Sequence, residues 1–169
     1  MVPCSFTAMR GRGKAAMRKT MIIPTYWCRS SGKCWHEGDA VYDHPTPVDQ
    51  EGTLERTLVS MQQFQEKDFK LVILICPTTP DVEDAAYEQV YRIVKRVKLR
   101  AETYLFTAGD LAAISRILKG AGLGDRGAAL LSMFGYSNVR NMCLLAATIL
   151  TADAALLIDD DEVFELPDF

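Results

Sequence analysis

Leu71-Val72-Ile73-Leu74-Ile75-Cys76 is an unbroken apolar run closed by Pro77. A strand with one face in water alternates apolar and polar residues. A strand without alternation is buried on both faces, as in a parallel sheet covered by helices. The stretch therefore predicts a central strand of an α/β domain. C-terminal to it, Asp81 opens a helix over 81–98, with Ala86, Val90, Ile93 and Val97 spaced for one buried stripe. Residues 102–106 read as a further strand, and 110–119 as a helix stopped by Gly120. A glycine-rich connection leads to a helix over 137–150, and Ala154-Ala155-Leu156-Leu157-Ile158 reads as the last strand.

N-terminal to the run, 53–64 is a helix with Thr53 as N-cap and Leu54, Leu58, Met61 and Phe64 on one stripe. Thr20-Met21-Ile22-Ile23-Pro24 reads as a short buried strand stopped by its proline. Between them lies a polar loop over 25–52, stiffened by Asp43-His44-Pro45-Thr46-Pro47. Loops this long inside a compact domain are often functional. The order β-loop-α-β-α-β-α-α-β implies an open, mostly parallel, Rossmann-like α/β sheet with helices on both faces. Ligands of such sheets bind beyond the carboxyl ends of the strands, where strand order reverses. Pro24-Thr25, Cys76-Pro77 and Asp159-Asp160-Asp161 lie at those ends and are expected to meet in one crevice.

The last strand runs directly into Asp159-Asp160-Asp161-Glu162. Like charges this close repel, and desolvating them is costly, so the cluster needs full solvation or a cation. An extended chain alternates faces, which would aim Asp159 and Asp161 the same way. Two carboxylates at a strand tip suit a hard divalent ion, Mg²⁺ or Mn²⁺, whose shell is completed by water and substrate phosphates. A solvated acidic loop is the competing reading.

The 169 residues fit one domain, and 49% hydrophobic with 24% charged residues is ordinary for a globular chain. A net charge of −3 gives no general nucleic-acid footprint. The first twenty residues nevertheless hold Arg10, Arg12, Lys14, Arg18 and Lys19 and no acid. Without periodicity, residues 1–19 read as a basic disordered leader, with peripheral contact to anionic lipid as a lesser reading. The longest apolar stretch, 142–158, is broken by Thr148, Thr151 and Asp153 and falls short of the ~20 residues that span a bilayer, so no integral membrane segment is expected. Five cysteines without a secretory signal point to the reducing cytoplasm, with Cys76 and Cys143 as buried free thiols. The Cys28-x5-Cys34-x-His36 spacing departs from the usual zinc patterns and reads as a loop with incidental thiols.

Met21-Ile22-Ile23-Pro24-Thr25-Tyr26, the helix over 53–64, Tyr136-Ser137-Asn138-Val139-Arg140-Asn141 and Leu157-Ile158-Asp159-Asp160-Asp161-Glu162 occur in the order seen in family two glycosyltransferases. From about residue 20 onward the chain resembles the nucleotide-sugar-binding half of those GT-A-fold enzymes. The resemblance implies that Pro24, Thr25 and Tyr26 line the base and ribose pocket. Arg140 and Asn141 correspond to the pair on the helix before the metal-binding strand, with the arginine aimed at a diphosphate. Asp159 and Asp161 correspond to the DxD acids, Asp161 on the metal and Asp159 on sugar, ribose or metal; Asp160 is a further donor-site candidate.

The family's acid after the second strand is replaced here by Cys76-Pro77-Thr78-Thr79. Thr78 or Thr79 hydrogen-bonding the nucleoside and a plain turn are the alternatives. Asp43 and His44 are candidates for the lip of a donor or acceptor site. The resemblance further implies that the acceptor half and the catalytic base lie beyond Phe169, so this chain would be a truncated donor-binding portion, with homo-oligomerisation through an uncovered edge strand conceivable. The acceptor is not specified by these residues. A topoisomerase-primase-like metal fold would want a glutamate where Pro24-Thr25 stands. A sugar nucleotidyltransferase would want a glycine-rich basic loop after the first strand. P-loop chemistry lacks its GxxxxGK[ST]. The non-enzymatic alternative is a degenerate nucleotide-binding or interaction domain.

Overall fold

The structure is a computed structural model and describes residues 16–33 and 35–166. Its sheet is built from β1 (Lys19–Cys28), β2 (Thr46–Pro47), β3 (Phe69–Pro77), β4 (Glu102–Phe106) and β5 (Ala154–Leu157), all paired in parallel. The helices are α1 (Leu54–Ser60), α2 (Glu83–Val97), α3 (Ala108–Gly120), the short α4 (Asp125–Ala128) and α5 (Tyr136–Ile149). The strand order β2-β1-β3-β4 is completed by β5, which pairs with the other half of β1's free side. The chain thus moves outward from β1 to β4 and then crosses back to β5. That reversal sets a topological switch point between β1 and β5.

Alternation along the strands divides the core in two. Met21, Ile23, Leu71, Ile73 and Ile75 pack against Leu54, Leu58 and Met61 of the α1 segment and Ala86, Val90 and Ile93 of α2. Ile22, Tyr26, Val72, Leu74 and Cys76 face Leu111 of α3 and Val139, Met142, Cys143 and Ala146 of α5. Both faces are covered, which explains why β3 carries no polar alternation. The open, parallel, Rossmann-like α/β sheet expected from the sequence is therefore present. Cys76 and Cys143 are buried thiols, as expected, and burial holds both well above their ordinary pKa, Cys143 at about 11.

The structure departs from the sequence reading at several element ends, β1 most of all. Pro24 does not stop β1, which continues to Cys28. The Ile22 carbonyl accepts from Ile158 N–H and the Cys28 carbonyl from Val48 N–H, so even-numbered residues of β1 point toward β5 and β2. Pairing with β5 ends at Ile22 and pairing with β2 begins at Trp27. The donor that Pro24 lacks would fall in the gap between them, where no neighbouring strand needs it. Thr53 occupies the position before α1 but makes no side-chain cap.

Of the basic leader, residues 1–15 lie outside the described residues. Its last two cations belong to the fold: Lys19 begins β1, and the Arg18 guanidinium donates to both carboxylate oxygens of Asp153 and to Thr151 Oγ1. No helix among the described residues is long and apolar enough to cross a membrane.

Candidate functional site

The switch point opens a crevice of about 170 Å³ lined by Tyr26, Asp43, His44, Thr53, Tyr136, Arg140 and the three acids Asp159, Asp160 and Asp161. Its acids are not arranged as an extended strand would arrange them. β5 stops at Leu157, Ile158 turns into the core beside α1, and Asp160 and Asp161 form a turn closed by Glu162 N–H on the Asp159 carbonyl. The α1 helix holds that turn from below. Thr57 Oγ1 donates to the Asp160 carbonyl at 2.7 Å, and Arg56 Nη2 to the Asp161 carbonyl at 3.4 Å. Face alternation therefore does not govern these side chains.

The three carboxylates consequently differ in role. Asp160 turns inward and accepts from Thr25 Oγ1 at 2.5 Å and from the Tyr26 backbone N–H. That N–H points into the gap beside Pro24, so Asp160 satisfies a donor left without a strand partner. Burial raises its pKa to about 6, with the neighbouring Asp161 and Asp159 charges adding to the rise and the Thr25 hydrogen bond opposing it. Asp159 is half-exposed and paired with Arg140 Nη2 at 3.0 Å. Asp161 is exposed, and its carboxylate has no partner among the described residues.

An aromatic cluster forms the far wall. The Tyr26 ring lies 4.4 Å from Tyr42 and 5.4 Å from Tyr136, centroid to centroid. Tyr42 Oη donates to the Met133 carbonyl and accepts from Gly135 N–H, while Tyr136 Oη accepts from Asp43 N–H. These bonds tie the 42–44 loop to the start of α5, where Gly135 takes φ +85° and lets the chain turn into the helix. Asp43 and His44, candidates for a lip, do line the crevice, and their side chains approach to 3.3 Å. His44 sits at φ +53°, in the left-handed region.

Beside the crevice is a second cavity of about 440 Å³ at the end of β3, lined by Thr78, Thr79, Gly38, Ala40 and Gly135, among others. Gly135 bounds this cavity and Tyr136 bounds the crevice, so the start of α5 separates the two. The Thr78 and Tyr26 hydroxyls, one at each cavity, are buried without a hydrogen-bond partner among the described residues. Buried orphan hydroxyls are uncommon in proteins and mark places where water or ligand completes the bonding.

The remaining candidates fall outside the acid crevice. Pro24 is buried within the sheet and reaches neither cavity. Asn141, expected beside Arg140 in the donor site, does not line the crevice; its amide donates to the Leu130 carbonyl at 3.2 Å and braces the connection before α5. One helical step rotates a side chain by about 100°, so adjacent residues cannot share a face. Thr79 is half of a turn, its hydroxyl donating to Asp81 and accepting from Arg29. Arg29 also pairs with Asp39 and Asp81, a clamp between the end of β1 and two loops. Cys34 lies outside the described residues; the Cys28 thiol donates to the Pro45 carbonyl.

The sequence reading missed Thr53 and Tyr136 as crevice residues. Tyr136 was visible only as the first residue of a recognised segment.

The described residues contain no group of three or more His, Cys, Asp or Glu side chains poised around a metal. No protein-family model, curated protein or solved structure matches this chain.

Proposed function

We propose that the crevice and its neighbouring cavity bind a nucleotide-diphosphate sugar, and that the chain is the donor-binding portion of a glycosyltransferase. The observation that carries this reading is the meeting, at the switch point of the sheet, of Arg140, the buried Tyr26 hydroxyl and the Asp161 carboxylate, which has no partner among the described residues, with the Thr78 hydroxyl at the neighbouring cavity. The crevice alone is smaller than the ~300–1,000 Å³ of typical ligand sites, so this reading requires the ligand to reach past the start of α5 into the second cavity.

In this reading the nucleoside occupies the cavity at Thr78, whose hydroxyl takes the place of the family's missing acid. The diphosphate lies in the crevice against Arg140, whose planar guanidinium offers several donors and a permanent charge. Tyr26 contributes its free hydroxyl and an aromatic wall. Asp160 is a positioning residue: it orients Thr25 and the Tyr26 backbone rather than the ligand. Asp161, with Asp159, would hold Mg²⁺ or Mn²⁺. When bound, that cation would neutralise charge on the departing diphosphate. Acceptor and catalytic base have no candidates among these residues.

A second reading, a nucleotide-binding domain without transfer activity, is favoured by the engagement of Asp159 with Arg140 and of Asp160 with Thr25. Calorimetric titration of UDP, GDP and their sugar conjugates, with and without Mn²⁺, separates the two. Metal-dependent binding that falls roughly 10–100-fold in Asp161→Ala supports the donor site, that being the range for a charge-assisted contact. Binding indifferent to metal and to Asp161→Ala supports the second reading. Folded protein that binds no nucleotide sinks both.

A further inference from the structure

At the opposite end of the sheet, where the strands begin, lies a cleft of about 430 Å³. Lys67, Lys98 and Arg100 line it, together with the Gln65 amide and an apolar floor that includes the buried Phe64 and Phe69. No aspartate or glutamate is among its lining residues. The other cations at this end are paired: Arg18 with Asp153, Lys19 with Glu66 and Lys70 with Glu102. Lys67, Lys98 and Arg100 pair with no carboxylate among the described residues, and Lys67 Nζ reaches only the Gln62 carbonyl at 3.3 Å.

Part of this arrangement has a local cause, since a cation after a helix favours its carbonyl end. That bears on Lys98, which follows α2, and on Lys67, whose Nζ meets the Gln62 carbonyl at the end of the α1 segment; Arg100 has no such helix partner among the described residues. Lys98 carries a second anomaly. It caps α2 at φ 51° and ψ 57°, the left-handed conformation in which glycine or asparagine is usual. Backbone strain of this kind gathers at functional positions. A lysine thus stands where glycine would sit more easily, on the wall of a cleft with uncompensated positive charge.

We propose that this cleft binds a phosphate-bearing ligand at a site separate from the acid crevice. Arg100 offers a planar fork of donors to phosphoryl oxygens, and the two lysines add mobile point charges. The volume lies within the range of small-ligand sites and exceeds what phosphate alone requires. A soluble phosphorylated compound and a lipid headgroup present the same chemistry here. The inference does not depend on what the acid crevice binds.

The test uses the full chain in EDTA at about 0.1 M salt, where screening leaves close contacts standing. Inorganic pyrophosphate is titrated calorimetrically, and phosphatidylcholine vesicles with and without phosphatidic acid are used for co-sedimentation. Binding to either probe is expected, weakened about tenfold by Arg100→Ala, the lower end of the range for a charge-assisted contact. Lys98→Gly is expected to weaken binding while leaving the melting temperature unchanged or raised, because it relieves the left-handed lysine. Asp161→Ala leaves this binding intact, which separates the cleft from the crevice. Pyrophosphate binding identifies a soluble source, and binding only to the acidic vesicles a headgroup. The proposal is overturned if neither probe binds, or if binding survives unweakened in the Lys98→Gly, Arg100→Ala double variant.

Discussion

The two ends of this parallel sheet carry opposite charge chemistry on the same scaffold. At the carboxyl end three acids crowd one turn, and two are already engaged, by Arg140 and by Thr25 with the Tyr26 backbone. At the amino end three cations share a cleft without one carboxylate among its lining. A net charge of −3 conceals this polarity completely. Topology produces the difference. The carboxyl end is where strand order reverses and β1 loses its neighbour, so backbone donors need side-chain partners there. The amino end receives chain leaving helices, whose last carbonyls lack helical partners and favour nearby cations.

The largest effect should come from the slab that joins the two ends. Ile73 is fully buried in β3 between both, and Ile73→Ala is expected to cost about 2–5 kcal/mol in chemical denaturation. Both sites should lose binding along the same unfolding curve. Loss at one end in still-folded protein would break the picture of a single cooperative unit carrying two poles.

A smaller effect distinguishes Asp160 from the acids beside it. Its carboxyl binds a proton more tightly in the fold than in the unfolded chain, where the pKa is near ~4. Protonation therefore favours folding, and its contribution is greatest below that value. Stability should fall by about 2–3 kcal/mol as pH rises from ~4 through the folded value near 6. Asp153 acts in the opposite sense: Arg18 lowers its pKa to about 2, so its contribution is lost as pH falls below ~4. The difference between wild-type protein and Asp160→Asn across this range isolates the Asp160 term. Parallel curves for the two proteins would show that Asp160 is solvated like its neighbours.

The smallest effect on stability belongs to Arg140. Its pair with Asp159 is half-exposed on both sides, so Arg140→Met should change stability by less than about 1 kcal/mol. The same substitution should weaken nucleotide-diphosphate binding about tenfold or more, because a charge-assisted contact to phosphate disappears. A large stability loss with unchanged affinity would recast the pair as structural and draw the two ends closer in kind.

Much of the fold was legible along the chain. β3 and the buried stripe of α2 follow from apolar spacing, because a strand covered on both faces and a helix covered on one leave different periods. Thr107 and Asp110 form a reciprocal cap at the start of α3, a local signal that could have placed that boundary two residues earlier. Of the three strand ends expected to share one crevice, Thr25 and residues 159–161 meet through the Thr25–Asp160 hydrogen bond, whereas Pro24 and Cys76-Pro77 do not line it.

The course of β1 beyond Pro24, the inward turn of Asp160, the withdrawal of Asn141 and the cation cleft were not legible. Each depends on a neighbour distant in sequence: the gap between β5 and β2, the Thr25 hydroxyl, the Leu130 carbonyl, and the approach of residues 65–67 to residues 98–100.

The sequence by itself determined that the chain forms a parallel sheet between two layers of helices and places acids at the end of its last strand. Periodic burial is a local property, and it is written residue by residue. Only the tertiary structure decided which acid faces solvent, which one completes the backbone of β1, and which cations are left without partners. Charge and hydrogen-bond satisfaction are settled by proximity across the fold, and proximity is not a property of any single segment.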